Sequence, residues 1–312
     1  MRFRVDCEPC LRSVKFEAIF VSPPFISEPL MFLQSRRNFL MTTSAAAAIG
    51  ACGLMPRVAR AAEADGPKLG IQLYSLRGYK VEEALKHASD MGFEQVEFYS
   101  GMLPLDSSDE QIAAMKKQVA DLGMSISGHG VNGFTKDAAA NRKTFEFAKK
   151  LGTPCITADP DFDSFDSLNE LVKEFDIRVA IHNHGPNHRY NKAIDVLRVI
   201  EGRDERIGAC ADLGHYIRSG QNAAEVIRLL KGRLYGIHLK DFAEMKDQTK
   251  GVILGKGHLN VEEVLAELKL AKFPANGAFS LEYEENEKNP LADIRECYAV
   301  TRAAMKAVAK IN

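Results

Sequence analysis

The stretch GACADLGHYIRSG, residues 208–220, sets Asp212 and His215 three positions apart where an apolar run ends. Two chemistries fit that spacing. Asp is a favoured helix cap, its side chain accepting a bond from an N–H of the first turn. Asp with His is also a pair of metal ligands. The ends of the other apolar runs bear on the choice. In chain order they carry Gln72 and Tyr74, Glu97, His129, Asp159, His182 with His184, Asp212 with His215, His238 with Lys240, and Glu282 with Glu284. So many run ends bearing His, Asp or Glu exceed what capping explains. Imidazole and carboxylate without thiolate suit one divalent ion such as Mn²⁺, Co²⁺, Zn²⁺ or Mg²⁺, with an open position of the catalytic kind. His182 and His184, His238 and Lys240, and Glu282 and Glu284 each share a strand face, because strand side chains alternate with period two.

Such residues need a scaffold that gathers run ends. From Lys68 onward, short apolar runs alternate with stretches of helical period, the pattern of repeated β-α units around a parallel sheet. The predicted strands are 69–75, 95–100, 125–130, 155–159, 178–184, 206–212, 234–241 and 278–284. Helical patterns lie between them and after the last. Glycines 92, 123, 152, 202 and 232 follow helical stretches, where a left-handed residue ends a helix. Eight units in ~245 residues match a single (β/α)₈ TIM barrel, an α/β fold whose chemistry sits at the C-terminal strand ends. A doubly wound sheet would show a glycine-rich phosphate loop after its first strand, and only LRGYK follows LGIQLYS.

The chain divides into residues 1–66, an extension with an export signal, and the barrel, 67–312. Ser35-Arg36-Arg37-Asn38-Phe39-Leu40, a modest apolar segment and Ala59-Arg60-Ala61 resemble a twin-arginine signal with its cleavage site, which predicts a periplasmic protein. The apolar segment is short for a stable membrane span. Ile49-Gly50-Ala51-Cys52 resembles a lipobox, and its reading is a lipoprotein anchored at Cys52. Signals begin a few residues before their arginines, which points to Met31 as the start. Cys7-x-x-Cys10 has no second half of a metal site, and Cys155, Cys210 and Cys297 read as buried free thiols.

Composition bounds the partners. The 312 residues are 46% hydrophobic and 27% charged with net charge -1, which gives no electrostatic case for nucleic acid. Composition leaves oligomerisation open.

Five motifs carry a resemblance to a known family. They are Ile181-His182-Asn183-His184-Gly185, Asp212-Leu213-Gly214-His215, Ile237-His238-Leu239-Lys240-Asp241, Leu254-Gly255-Lys256-Gly257-His258 and Leu281-Glu282-Tyr283. Residues 68–312 resemble the sugar phosphate isomerase/epimerase group of xylose isomerase-like barrels, to which endonuclease IV is related. The resemblance implies His182, Asp212, His238 and Glu282 as metal ligands, His215 on the substrate side and Lys240 on a substrate oxygen. It makes Glu282 the base that removes a proton beside a carbonyl held on the ion. Many of these epimerases carry glutamate at the His182 position, and two metal-bound glutamates then serve as the two bases. Here Glu282 alone remains of that pair. Similar histidine-rich variants occur among inosose-dehydratase-like members. The three-zinc nuclease needs more ligands than this chain supplies.

Other assignments follow from position. Gln72 and Tyr74 line the pocket, His129 between two glycines contacts substrate, and His184 and His258 are further substrate-side groups. Glu97 is a ligand or a structural carboxylate with equal weight, His188 a loop residue, and Lys256 part of a turn. The expected function is a divalent-metal-dependent isomerase or epimerase of a non-phosphorylated sugar or keto-sugar. The alternatives are a metal-dependent dehydratase of a keto-sugar or inosose, and a non-catalytic periplasmic sugar-binding barrel.

Overall fold

The computed structural model describes residues 66–310. The signal, the lipobox, Met31 and Cys7-x-x-Cys10 lie outside the described residues. Eight parallel strands close into a barrel: β1 (Gly70–Gln72), β2 (Gln95–Phe98), β3 (Ser125–Phe134), β4 (Cys155–Pro160), β5 (Arg178–His182), β6 (Ile207–Asp212), β7 (Leu234–Leu239) and β10 (Ala278–Leu281). Between β7 and β10 a small antiparallel pair, β8 (Asp241–Phe242) and β9 (Gly251–Val252), stands apart from the barrel. The single (β/α)₈ barrel expected from the alternating pattern is the fold.

The outer helices are α1 (Val81–Met91), α2 (Asp109–Asp121), α3 (Ala138–Leu151), α4 (Phe165–Phe175), α5 (Ala193–Ile200), α6 (Leu213–Arg218), α7 (Ala223–Leu229), α8 (Val261–Leu270) and α9 (Leu291–Ala309). Their ends follow local chemistry. Ser108 and Gln111 form a reciprocal capping box on α2, and the Asp137 carboxylate accepts from Ala139 and Ala140 at the start of α3. Gly92 closes α1 at φ 95°, a conformation that strains any residue with a Cβ. Among the described residues, no helix is long and apolar enough to cross a membrane.

Three local features depart from the sequence expectation. Leu73–Leu76 form a 3-10 turn rather than continuing β1, because Gln72 Oε1 accepts from the Tyr74 N–H. β3 runs to Phe134, where a shift of register after His129 lets Asn132 and Phe134 pair with β4. The short α6, absent from the predicted elements, starts directly at Asp212.

The core lies between strands and helices, with Ile71, Leu85, Phe98, Phe145, Leu168, Ile237 and Phe279 fully buried. Each such side chain contributes roughly 1.5–3 kcal/mol over its exposed state. That surplus lets the barrel interior carry buried charge, which costs several kcal/mol per ion. Cys155, Cys210 and Cys297 are buried free thiols, as expected.

Candidate metal centre

His182 and Asp212 are the last residues of β5 and β6, His238 is one residue from the end of β7, and Glu282 directly follows β10. Register makes them neighbours: Asp212 pairs with His238 across β6 and β7, and Ser280, two before Glu282, pairs with His238. One ligand atom from each of the four lies within 4.8 Å of all the others. His182 Nε2 is 3.1 Å from His238 Nδ1 and 3.6 Å from Asp212 Oδ2. His238 Nδ1 is 3.0 Å from Glu282 Oε2 and 4.0 Å from Asp212 Oδ2. Ligands about 2.1 Å from one ion stand ~3.0 Å apart at right angles and ~3.4 Å apart in a tetrahedron. The separations therefore fit a single divalent ion, and the two-imidazole, two-carboxylate set suits it chemically. Asp212 Oδ2 and Glu282 Oε2 are buried at the centre of this set, and each already faces one cation, the Lys240 ammonium.

Lys240 completes the cluster. Its buried Nζ stands 2.8 Å from Asp212 Oδ2 and 2.9 Å from Glu282 Oε2, ion-pair contacts without hydrogen-bond alignment. Its aligned hydrogen bond, 2.7 Å, goes to Glu284 Oε1. Burial pulls the Lys240 pKa down, and Asp212, Glu282 and Glu284 outweigh burial and hold it well above the ordinary value. Burial likewise opposes ionisation of Glu282, and Lys240 and His238 outweigh it, so this carboxyl stays charged. Asp212 is held well below the usual carboxylate range against its burial, by His215, Lys240 and His182. Burial pushes His215 itself down to about 3, which leaves Lys240 as the charged partner that matters near neutrality.

Asp212 is both cap and candidate ligand. Oδ1 accepts the His215 N–H at 2.8 Å and starts α6, while Oδ2 turns to the cluster. Asn183 fixes its backbone from both sides, accepting the Asp212 N–H at 2.8 Å and donating to the Asp212 carbonyl at 3.0 Å. Gly214 is required by close approach: a Cβ there would stand 2.6 Å from Lys240 Cγ. Neither Asn183 nor Gly214 was singled out by sequence reasoning, although both sit inside the motifs.

The other expected site residues divide. His215 lies beside the cluster, its Nε2 4.0 Å from Asp212 Oδ2 and its ring near-parallel to those of His184 and Phe242. His184 packs on His182, with ring centroids 4.7 Å apart, and its Nδ1 is buried without a partner. Gln72 is buried, and both its polar ends bind main chain: Nε2 donates to the Gly130 carbonyl and Oε1 accepts from Tyr74. Tyr74 is exposed, edge-on to Tyr99 and under Arg77.

Two substrate assignments are corrected. His129 bonds the Leu103 carbonyl and Asn132 and packs edge-on against Phe147 of α3. Gly128 is the residue beside Glu97, so strand alternation turns His129 toward the helices and away from the cluster. His258 is exposed, and it is its main-chain N–H that binds, to Asp241. The buried Asp241 carboxylate collects five main-chain N–H groups, from Phe242, Gly255, Gly257, His258 and Leu259. That carboxylate, read in the sequence only as part of a motif, explains the Leu254-to-His258 segment as a fastened turn. Lys256 is exposed and paired with Glu296.

Asp159, His184 and His188 also lie close enough to share an ion. Their groups are largely spent: Arg189 binds Asp159, and His188 bonds Asp159 through Nε2 and the Tyr190 N–H through Nδ1. Surface hollows of about 360 and 390 Å³ lie along α2 and α3, lined by Ile112, Lys116, Asn141 and Thr144 among others, away from the cluster. Ligand geometry marks the site, and those hollows do not.

The sequence profile described as xylose isomerase-like TIM barrel matches residues 85–303, so the chain belongs to that family. Among curated proteins none matches. The structure is similar to an uncharacterised protein from Parabacteroides distasonis, 29% identical, covering 76% of this chain and 98% of that one, with TM-score 0.60. It is similar to the 3-keto-D-glucoside 4-epimerase of E. coli, at 16% identity, 76% and 99% coverage and TM-score 0.59. It also resembles the D-psicose 3-epimerase of Clostridium cellulolyticum, at 16% identity, 78% and 98% coverage and TM-score 0.60. At such identity the two epimerases share the fold.

Proposed function

We propose that this chain is a divalent-metal-dependent isomerase or epimerase acting on a non-phosphorylated sugar or keto-sugar. The observation that carries the reading is the convergence of His182, Asp212, His238 and Glu282 at the C-terminal end of the barrel, with a buried ammonium among them. Barrels of this kind do their chemistry at that end. That two similar structures are sugar epimerases supports the substrate class. His182, Asp212, His238 and Glu282 would hold a divalent ion, which when bound would lend Lewis acidity for ionising a C–H beside a carbonyl.

The chain's own groups do the rest. Glu282, charged and buried, takes the substrate proton on its carboxylate. Lys240, steadied by Glu284, donates to the substrate oxygen as negative charge grows there. The twin-arginine-like stretch Ser35-Arg36-Arg37-Asn38-Phe39-Leu40 supports a non-phosphorylated substrate, because phosphorylated sugars are cytosolic. Arg36 and Arg37 support export to the periplasm by the twin-arginine route, tested by N-terminal sequencing of exported protein; a lipid on Cys52 would replace this with an anchored form.

His182 favours one second reading. With imidazole where many family epimerases have glutamate, a single carboxylate base remains, and that suits elimination of water from a keto-sugar or inosose. Ketoses, inososes and 3-keto-glycosides screened in deuterium oxide test both readings. Isomerisation or epimerisation gives deuterated sugar isomers, and elimination gives a dehydrated product. Glu282→Gln should abolish exchange, and Lys240→Met should lower kcat about 100-fold with little change in KM. Persistent exchange in the first variant, or wild-type kcat in the second, removes these roles.

A further inference from the structure

Glu97 lies in the barrel interior on β2, fully buried, and is not one of the four residues that converge as ligands. Its Oε2 accepts from His238 Nε2 at 2.9 Å and from Ser280 Oγ at 2.8 Å, and its Oε1 accepts from Thr157 Oγ1 at 2.5 Å. The donors come from β7, β10 and β4, so one carboxylate ties three other strands together across the interior. Gly128 on β3 makes room for it, since a Cβ there would stand 3.2 Å from Glu97 Cγ.

We infer that Glu97 is a positioning residue that selects which nitrogen of His238 faces the metal. This rests on the metal-dependent reading proposed above. An ionised carboxylate only accepts hydrogen bonds, so the proton between the two groups belongs to His238 Nε2. A neutral imidazole carries one proton, which leaves the lone pair on Nδ1. Nδ1 is the atom that faces His182 Nε2 at 3.1 Å and Glu282 Oε2 at 3.0 Å. Carboxylate on one nitrogen and metal on the other orients the ring and makes it a stronger donor to the ion. Ser280 and Thr157 hold the carboxylate in place and occupy acceptor sites that a second cation would need.

The test compares Mn²⁺ binding to the purified wild-type chain and to Glu97→Gln by calorimetric titration, alongside melting temperature without metal. An amide at this position can donate to His238 Nε2 and move the imidazole proton to Nδ1, the ligand atom. The expected result is binding weakened about 10- to 100-fold in a variant that still melts cooperatively. A purely structural carboxylate would lower the melting temperature and leave Mn²⁺ affinity unchanged, and that result overturns the inference. Should Glu97→Gln fail to fold, nitrogen-15 NMR of labelled histidine in metal-free wild type at high pH decides. The proton of neutral His238 on Nε2 supports the inference, and on Nδ1 it overturns it. Wild type that binds no Mn²⁺, Co²⁺, Zn²⁺ or Mg²⁺ instead removes the metal-dependent reading itself.

Discussion

Asp212 has one oxygen for the fold and one for the site, and two substitutions separate them. Asp212→Asn keeps a carbonyl oxygen able to accept the His215 N–H, now 2.8 Å from Oδ1, while removing the charge from Oδ2. Asp212→Ala removes both. The cap is worth about 1 kcal/mol, which for a barrel of this size is about 2–4 °C in Tm. Losing one partner of a buried ion pair costs about 3–5 kcal/mol when the other charge is left alone. Lys240 keeps Glu282 at 2.9 Å and Glu284 at 2.7 Å, so both variants should lose less than that and remain folded. Metal content after dialysis, measured by mass spectrometry, should fall well below one per chain in both. Asn also sets an NH₂ against the Lys240 ammonium, 2.8 Å from Oδ2, so thermal unfolding of the metal-free proteins should place it above Ala by less than the ~2–4 °C of the cap. Full metal in Asp212→Asn would show that Oδ2 is not a ligand.

Asp241→Asn puts an NH₂ where one carboxylate oxygen accepts two or three main-chain N–H groups, so hydrogen exchange across 255–259 should accelerate strongly. Unchanged protection there would mean that other contacts hold the turn. Acid should destabilise the metal-free protein between about pH 6.5 and 5. Burial, with His182 and His188, depresses His184 to about 4, and burial depresses His215 to about 3, so the unfolded chain binds more protons in this window. Stability should fall by roughly 1 kcal/mol per pH unit for each histidine. His238, whose folded pKa is raised, contributes with the opposite sign while the unfolded histidine takes up its proton, and offsets only part of the effect of the two. Urea midpoints should therefore drop on acidification, and less so in His184→Gln; a flat or rising profile contradicts the assignment.

The sequence by itself determined the barrel and the residue types at its mouth. Both signals are local: apolar runs alternating with helical periods specify β-α units, and period two places His238 and Lys240, or Glu282 and Glu284, on common faces. Glycines after helical stretches marked real ends, at Gly92 and Gly152 among others, because left-handed backbone is a property of the residue itself. Closure of the barrel decided the rest. Glu97 meets His238 across 141 positions of sequence, and no periodicity encodes such a partner. A register shift between Val96 and Glu97, and another after His129, set which residues of β2 and β3 face inward, so His129 joined the helix layer and Gly128 the interior. His258, expected on the substrate side, lies in a turn whose N–H groups, its own among them, Asp241 collects, and its side chain is exposed. The question whether Asp212 caps or ligates had no answer in the sequence, because a carboxylate has two oxygens and only the folded chain sends one to α6 and the other to the cluster.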